Sequence, residues 1–442
     1  MLPCLPVNCK HFVKLFFILT LSLHCYFGYN IFMAIKEVSL LAKERIGILG
    51  GSFDPIHRGH IRMALSVLES GRLDRLLILP TGDPPYKACI CDKEDRWKMV
   101  VAACTEDSRL IPSRIEIDRG GSVYTIDTLR YLKQEYPGAD LFYVIGADAL
   151  MKLNRWYHYE EVLPLCTFLV CPRAIETAPA EFVAEKKRLS SLGAHFVMIR
   201  MNPVTVSSTL LREALSAGRP TPNLHVSVRE YCACKGLYGM PGRMDRSDEW
   251  IDKLFSALNP HRFAHSLAVA YTAKRLARIH GLNEQQAEEA GLLHDCAKCL
   301  PLKEMQRIAK QHSLTDDPAI LSSGALMHSL VGAWVARNDY GMADPEVLEA
   351  IMYHNTGCAG MSRLAMCVCL ADSIEPTRES YPLLENVRIL SELSLERALL
   401  MSLEGTADYV RSGGKYLHPR TQETIAWLRT LPTVRSSVKE TK

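Results

Sequence analysis

The sequence predicts two unlike folds in one chain, a doubly wound α/β domain with a parallel sheet followed by an all-α domain, and three observations carry that expectation. From Ile46 onward short β-branched runs alternate with amphipathic stretches, the pattern of a parallel sheet covered by helices. That alternation stops near Tyr238, and beyond it helical periodicity is almost the only pattern. The length, 442 residues, exceeds what one ordinary core organises, so two or three domains are expected.

Six strands are expected: 45–50 (Arg-Ile-Gly-Ile-Leu-Gly), 75–80, 114–118 (Arg-Ile-Glu-Ile-Asp), 141–146, 167–171 and 195–199. Helical periodicity fills the gaps at 60–70, 93–104, 125–136 and 180–192. Residues 239–247 carry two glycines, a proline and mixed charge without periodicity, as linkers do, which sets an α/β domain at 45–238. Helices then follow at 247–258, 262–280, 283–296, 302–311, 325–339, 344–353, 363–374, 395–412 and 419–431, giving a helical domain at 248–435. Asn283, with Gln286 three positions on, reads as an N-terminal cap.

Fifty-two Lys and Arg against 49 Asp and Glu give a net charge of +3, and 23% charged beside 48% hydrophobic residues describe ordinary globular protein. A disordered chain and a polybasic nucleic-acid binder are both disfavoured. Fifteen cysteines, odd in number and scattered, read as reduced thiols of a cytosolic protein, and the Cys296/Cys299 pair reads as packing rather than zinc or redox chemistry. Residues 1–32 include an apolar stretch, Phe12 to Met33, interrupted by Lys14, His24 and Asn30. Its clean runs are too short to span a bilayer, so the leader is expected to stem from an upstream start codon or to make at most a weak membrane contact.

After the first strand comes Gly50-Gly51-Ser52-Phe53-Asp54-Pro55-Ile56-His57-Arg58-Gly59-His60. Glycines where a strand turns into a helix bring backbone N–H groups and a helix N-terminus close to a ligand, which favours phosphate. The string is neither a G-x-G-x-x-G dinucleotide fingerprint nor a P-loop. His57 and His60, three apart, are expected to face one phosphate together. This segment resembles the signature of the α/β nucleotidyltransferases, in the form found in nicotinate-mononucleotide adenylyltransferases. Further strings follow in family order: Pro84-Pro85-Tyr86-Lys87 (with Tyr86 where the family has His), Ser122-Val-Tyr124-Thr125-Ile-Asp127-Thr128-Leu129, Gly146-Ala147-Asp148 with Trp156 beyond, and Ser207-Ser208-Thr209-Leu210-Leu211-Arg212.

The resemblance implies a Rossmann-like fold and adenylyl transfer, in which a nucleotide phosphate oxygen attacks the α-phosphorus of ATP and pyrophosphate leaves. Positioning and charge neutralisation then suffice. It implies His57, His60, Lys87 and Arg212 as catalytic residues on the phosphates. Gly51, Ser52, Phe53, Asp148, Ser207, Ser208 and Thr209 would hold ATP with Mg²⁺, Asp148 meeting ribose hydroxyls. Tyr124, Thr125 and Trp156 would hold the nicotinate nucleotide.

In the helical half the polar outliers are histidines on apolar faces: His265, His294 beside Asp295, His328 and His354, together with Asp372. Any one reads as a hydrogen-bonded core residue. Four imidazoles and two carboxylates in apolar settings on five helices point instead to metal ligation, which would satisfy these polar groups together. An imidazole and carboxylate set suits Fe, Mn, Co or Zn and is large enough for two ions. The order of these residues resembles the HD superfamily of metal-dependent phosphohydrolases. The strings HSLAVA, GLLHDCAKCLPL, LMHSLVGAWVA, YHNTG and LADSIEPTR are similar to its symmetrical diadenosine-tetraphosphate hydrolases. That resemblance implies a first metal set of His265, His294, Asp295 and Asp372, a second completed by His328 and His354 with Asp295 bridging, iron foremost among the metals, and Lys298 and Arg378 on the polyphosphate. The product would be two ADP.

The expected partners are therefore small-molecule nucleotides, with no nucleic acid, no stable membrane association and a homo-oligomer as an open possibility. Two alternatives stay open on the residues alone: another phosphorylated acceptor in the first domain, and a helical domain that senses nucleotides or scaffolds assembly without turnover.

Overall fold

The computed structural model describes residues 43–83, 89–172, 180–202, 204–240, 246–414 and 416–435. The hydrophobic leader, Lys87 and most of the expected linker lie outside the described residues.

The first half is built on β1 (Arg45–Gly51), α1 (Arg58–Glu69), β2 (Arg75–Pro80), α2 (Lys93–Ala103), β3 (Leu110–Pro112), α3 (Ile115–Arg119), α4 (Thr125–Glu135), β4 (Asp140–Gly146), α5 (Ala147–Leu150), β5 (Thr167–Cys171), α6 (Ala180–Ser191), β6 (His195–Met198), α7 (Ser208–Ser216) and α8 (Val226–Cys234). The strands form one parallel sheet in the order β3-β2-β1-β4-β5-β6, so the chain reverses its winding between β1 and β4. Ligands of doubly wound sheets bind at that switch point, beyond the C-terminal ends of the strands. Both Gly50-Gly51 and Gly146 end strands there. Within β2, Leu76 and Ile78 join one core while Leu77 and Leu79 join the other, the period of two that covers both faces.

One expected strand is a correction. Residues 114–118 form the one-turn helix α3, and the strand lies earlier, at Leu110–Pro112. The Ile-Glu-Ile alternation mimics a strand, but Arg114 Nε donates to Asp118 Oδ1 at 3.0 Å, the i,i+4 pairing of a helical turn. Pro112 is tolerated because β3 is the sheet edge.

The second half comprises α9 (Ser247–Ala257), α10 (Pro260–Ile279), α11 (Glu284–Leu293), α12 (Leu302–Gln311), α13 (Gly324–Asn338), α14 (Pro345–Tyr353), α15 (Arg363–Ile374), α16 (Leu384–Ser391), α17 (Leu395–Ser412) and α18 (Pro419–Leu428), with short helical turns between them. Helices α8 and α16 were not anticipated. Asn283 Oδ1 accepts from the Gln285 and Gln286 amides at 3.0 and 3.2 Å, as its spacing suggested.

The halves share a core. One apolar cluster runs without interruption from Leu68 and Met99 through Val228 and Tyr231 to Phe263, Leu267 and the helical domain. Helix α8 is its hinge-pin: the Tyr231 hydroxyl donates to Asp95 Oδ1 at 2.6 Å on one side, and Ser227 Oγ donates to the Ala264 carbonyl at 2.6 Å on the other. No disulfide joins the described cysteines; Cys296 is buried as expected, whereas Cys299 is exposed and packs little. No helix among the described residues is long and apolar enough to cross a membrane.

Candidate functional site

The glycine turn after β1 is fastened from beneath by a residue the sequence did not single out. Arg96 of α2, 1% exposed, donates from Nη1 to the Ser52 and Thr81 carbonyls (2.9 and 2.6 Å) and from Nη2 to the Gly82 carbonyl (2.7 Å). Its place on the helical face of Met99, Val100 and Ala103 is the signal that an arginine there is inward. Phe53 adopts φ 46°, the strained left-handed region, and its buried ring closes under Gly51 and against the edge of His60. Its side chain therefore packs, and a nucleotide contact at position 53 would come from its backbone.

His57 caps α1 and its ring stacks on that of His60, centroids 3.7 Å apart at 16°. The His57 amide donates to His60 Nδ1 at 3.2 Å, so a neutral His60 carries its proton on Nε2 and can donate from there. The two rings thus lie on one side of the turn, as their three-residue spacing suggested.

The distant Ser207–Arg212 segment comes to the same turn. Arg212 Nη1 donates to the Asp54 carbonyl at 2.7 Å, Ser208 Oγ donates to the Pro55 carbonyl at 3.1 Å, and Ser207 Oγ caps α7 by accepting from the Leu210 amide at 3.3 Å. Asp54, 1% exposed, ties the arrangement together: its carboxylate accepts from the Ile90 amide and the Tyr238 hydroxyl, each at 2.8 Å. Thr209 is exposed and accepts from Arg212 Nη2 at 3.4 Å.

On the far side of the switch point Asp148 sits exposed at the start of α5, and a Cβ on Gly146 would lie 2.8 Å from its Oδ1. Tyr124 precedes α4, which opens on Thr125, and stacks obliquely on Tyr157 with centroids 4.4 Å apart. Trp156 is half-buried with its edge toward Tyr143, 5.6 Å between centroids. Tyr143 in turn lies under the turn, for a Cβ on Gly50 would meet its hydroxyl at 2.6 Å.

In the helical half the six expected polar residues converge from five helices. His265 lies on α10, His294 and Asp295 follow α11, His328 lies on α13, His354 ends α14, and Asp372 lies on α15. One group joins His265, His294 and Asp372, a second His294, Asp295 and His354, with ligand atoms within 4.8 Å of one another in each. His328 Nε2 lies 3.2 Å from Asp295 Oδ1 and 3.1 Å from His354 Nε2. Asp295 is thus the residue common to His294, His328 and His354.

Backbone carbonyls fix the rings. His294 Nδ1 donates to the Gly291 carbonyl at 2.7 Å and His354 Nδ1 to the Ile351 carbonyl at 2.8 Å, which leaves each Nε2 with its lone pair inward. Burial holds His294 down to about 3 and His328 down to about 4, so both are neutral imidazoles, the form that ligates. His265 behaves differently: burial opposes its charge, but the Asp372 and Glu375 carboxylates prevail and raise it. Burial likewise opposes the Asp295 carboxylate, yet His294, His328, His354 and Lys298 hold it well below the usual range. The Asp372 carboxylate is held low against the same burial by Arg378 and His265.

Within this cluster, three buried atoms of the described residues lack a hydrogen-bond partner: His265 Nε2, His294 Nε2 and Asp295 Oδ1. His265 Nε2 does lie 3.0 Å from Asp372 Oδ1, a charge contact rather than an aligned hydrogen bond. Orphaned lone pairs on converging imidazoles and a carboxylate fit a divalent cation. Lys298 Nζ sits 3.0 Å from His328 Nε2 and 3.6 Å from Asp295 Oδ1, and Arg378 donates to Asp372 Oδ1 at 2.6 Å, so both cations border the cluster. Two residues were missed. Glu375 Oε1 lies 3.1 Å from His265 Nδ1 and orients that ring, and Arg262 Nη1 pairs with Asp295 Oδ2 at 3.0 Å. Glu375, three positions beyond Asp372 and buried, could have been suspected from its apolar surroundings.

Comparison with known proteins matches both halves. A cytidylyltransferase-like family pattern covers residues 48–214, and an HD domain pattern covers residues 262–377. A probable nicotinate-nucleotide adenylyltransferase/Ap4A hydrolase of Mycoplasma genitalium is 29% identical over 377 residues, 84% of this chain and 99% of the relative. A probable nicotinate-nucleotide adenylyltransferase of Corynebacterium kroppenstedtii is 38% identical over 209 residues, 47% of this chain and 96% of the relative. Among solved structures, a predicted HD superfamily hydrolase involved in NAD metabolism from Clostridium acetobutylicum is 36% identical, with TM-score 0.40, over 41% of this chain and 95% of its own. With such identity across almost the whole of a single-domain relative, the chain belongs to the nicotinate-nucleotide adenylyltransferase family and carries an HD domain behind it.

Proposed function

We propose that the chain is a bifunctional enzyme. The first half transfers AMP from ATP to nicotinate mononucleotide, and the second cleaves diadenosine tetraphosphate into two ADP. In the first reaction a phosphate oxygen of the mononucleotide forms a bond to the α-phosphorus of ATP while the bond to pyrophosphate breaks. What supports this reading above all is that Arg212 and Ser208 are bonded to the Asp54-Pro55 backbone, 158 and 153 positions away, beside the stacked His57 and His60. His60 donates from Nε2 toward the reacting phosphate, Arg212 spreads its fork over the departing phosphates with Lys87, and the residues opening α7 add hydroxyl and amide donors. Asp148 holds ribose hydroxyls, Tyr124 and Thr125 hold the nicotinate carboxylate, and Trp156 offers its ring to the pyridine. Mg²⁺ bound with ATP would supply further positive charge against the phosphates.

In the second half His265, His294 and Asp372 would hold one divalent metal and His328 and His354 a second, with Asp295 available to both. Iron leads Mn, Co and Zn. When bound, such a pair supplies Lewis acidity toward a phosphate oxygen and toward water. Glu375 keeps the proton of His265 on Nδ1, Arg262 and Lys298 orient the Asp295 carboxylate, and Lys298 and Arg378 neutralise the polyphosphate. The protein works in the cytosol on small nucleotides, without nucleic acid or membrane partners.

The test uses the full chain. With ATP it is expected to form deamido-NAD from nicotinate mononucleotide far faster than NAD from nicotinamide mononucleotide, and to release only ADP from diadenosine tetraphosphate. Equal use of both mononucleotides overturns the acceptor; release of ATP and AMP overturns symmetrical cleavage.

A further inference from the structure

Between the two halves lies a cleft of about 870 Å³ whose lining includes none of the residues assigned to either reaction. Its size suits a nucleotide-sized ligand. Three arginines line it: Arg58 at the start of α1, Arg219 after α7 and Arg229 on α8, the last lying over the Tyr271 ring of α10 at 4.9 Å. Two carboxylates, Glu106 and Glu379, line it as well. Thr221 borders the cleft with a hydroxyl that the protein leaves unpaired. It is 7% exposed.

The charge pattern selects the ligand. Arginines favour phosphate, but a bare inorganic phosphate or pyrophosphate would be repelled by Glu106 and Glu379 in the same space. A nucleoside phosphate resolves both, with its phosphate on the guanidinium groups and its ribose hydroxyls or base amino group donating to the carboxylates. Tyr271 gives such a base an aromatic neighbour. We propose that this cleft is a third nucleotide site, taking a nucleoside phosphate that contacts both halves of the chain.

The location gives an occupant leverage on both centres. Arg58 directly follows His57. On the opposite wall Ala264 precedes His265, and Thr377 Oγ1 donates to the Glu375 carboxylate at 2.7–2.8 Å, the group that orients His265. Occupancy itself is independent of the reactions assigned to those centres.

The experiment is photolabelling of the full chain with 8-azido-ADP, followed by peptide mapping. Label is expected within residues 218–229 or at Tyr271, in addition to the two catalytic centres. Arg219→Glu should lower cleft labelling at least tenfold, and the near-isosteric Thr221→Val at least threefold. Neither should lower adenylyl transfer more than twofold in the absence of added effector. AMP should protect the cleft at lower concentration than inorganic pyrophosphate. Label confined to the catalytic centres, or cleft label indifferent to both substitutions, overturns the site. Protection by pyrophosphate equal to that by AMP overturns the nucleoside part.

Discussion

Replacing Glu116 by Gln should stabilise the protein above neutral pH and do almost nothing below pH 5. Glu116 sits on α3 under the segment that carries Tyr124 and Thr125, only 5% exposed, and its Oε1 accepts from the Thr128 hydroxyl at 2.9 Å. Burial pushes its carboxyl from 4.5 up to about 7, with the Thr128 hydrogen bond and the Arg119 charge pulling the other way. The folded state therefore keeps a proton between those two values that the unfolded chain has released. Stability falls as pH rises through that window and levels off above it. At 1.36 kcal/mol for each tenfold change, the loss at pH 8 is roughly 3 kcal/mol. Glutamine keeps an oxygen for Thr128 and carries no charge, so it escapes the loss. Urea unfolding of both proteins at pH 5, 6.5 and 8 measures this, since every other titrating group is common to the pair and drops out of the difference. A stability difference that does not grow with pH, or a Gln variant that is weaker at pH 8, refutes the reasoning.

Two further substitutions probe the helical half. Asp295→Asn removes the one carboxylate shared by His294, His328 and His354, so metal content measured on the purified chain should fall and diadenosine tetraphosphate hydrolysis should drop by roughly 100-fold or more, with adenylyl transfer kept. Undiminished hydrolysis with full metal would mean that Asp295 is not a ligand. Gly291→Ala places a Cβ 2.8 Å from Ala270 Cα, between α11 and α10, which should cost about 1–3 kcal/mol. Because the Gly291 carbonyl receives the His294 proton, metal affinity should weaken with it; an unchanged Tm and an unchanged metal titration would refute the close-packing account.

Most of the architecture was legible because each domain announces itself by period, two in the sheet and 3.6 in the bundle. The strand misplaced at 114–118 shows the limit of that signal. Ile115-Glu116-Ile117 alternates, but burial of Glu116 against Thr128 and the Arg114–Asp118 pair outweigh five residues of pattern. The metal-type cluster was legible for the opposite reason, since polar residues on apolar helices are conspicuous. Asp54 and Arg262 were not, because an isolated charged residue looks solvated until its partners arrive from elsewhere in the chain, and Arg96 and Glu375 carried only the weaker sign of apolar neighbours. Their work is to hold other functional groups in place, and that work exists only in three dimensions.

The joint between the halves argues against reading the chain as two beads on a string. Lys98 of α2 pairs with Asp252 of α9, Tyr231 meets Phe263 edge-on, and Trp250 Nε1 donates to the Tyr340 carbonyl at 2.8 Å behind them. The joint also buries charge. Glu230 of α8 and Glu288 of α11 lie together against Lys274 of α10, whose Nζ lies 2.5 Å from Glu288, and Arg229 Nη1 lies 4.0 Å from Glu230. Burial, and then the Glu288 charge, raise Glu230 well above its ordinary value against the pull of Lys274 and Arg229. With the Cys234 thiol these two carboxylates form a buried polar group inside the joint. Cutting the chain near residue 240 would uncover this group and the apolar faces of Val228 and Tyr231 together. The two halves thus share a wall: Ser227 of α8 holds the Ala264 carbonyl next to His265, and Asn223, just before α8, accepts from the Arg58 amide at 2.9 Å next to His57.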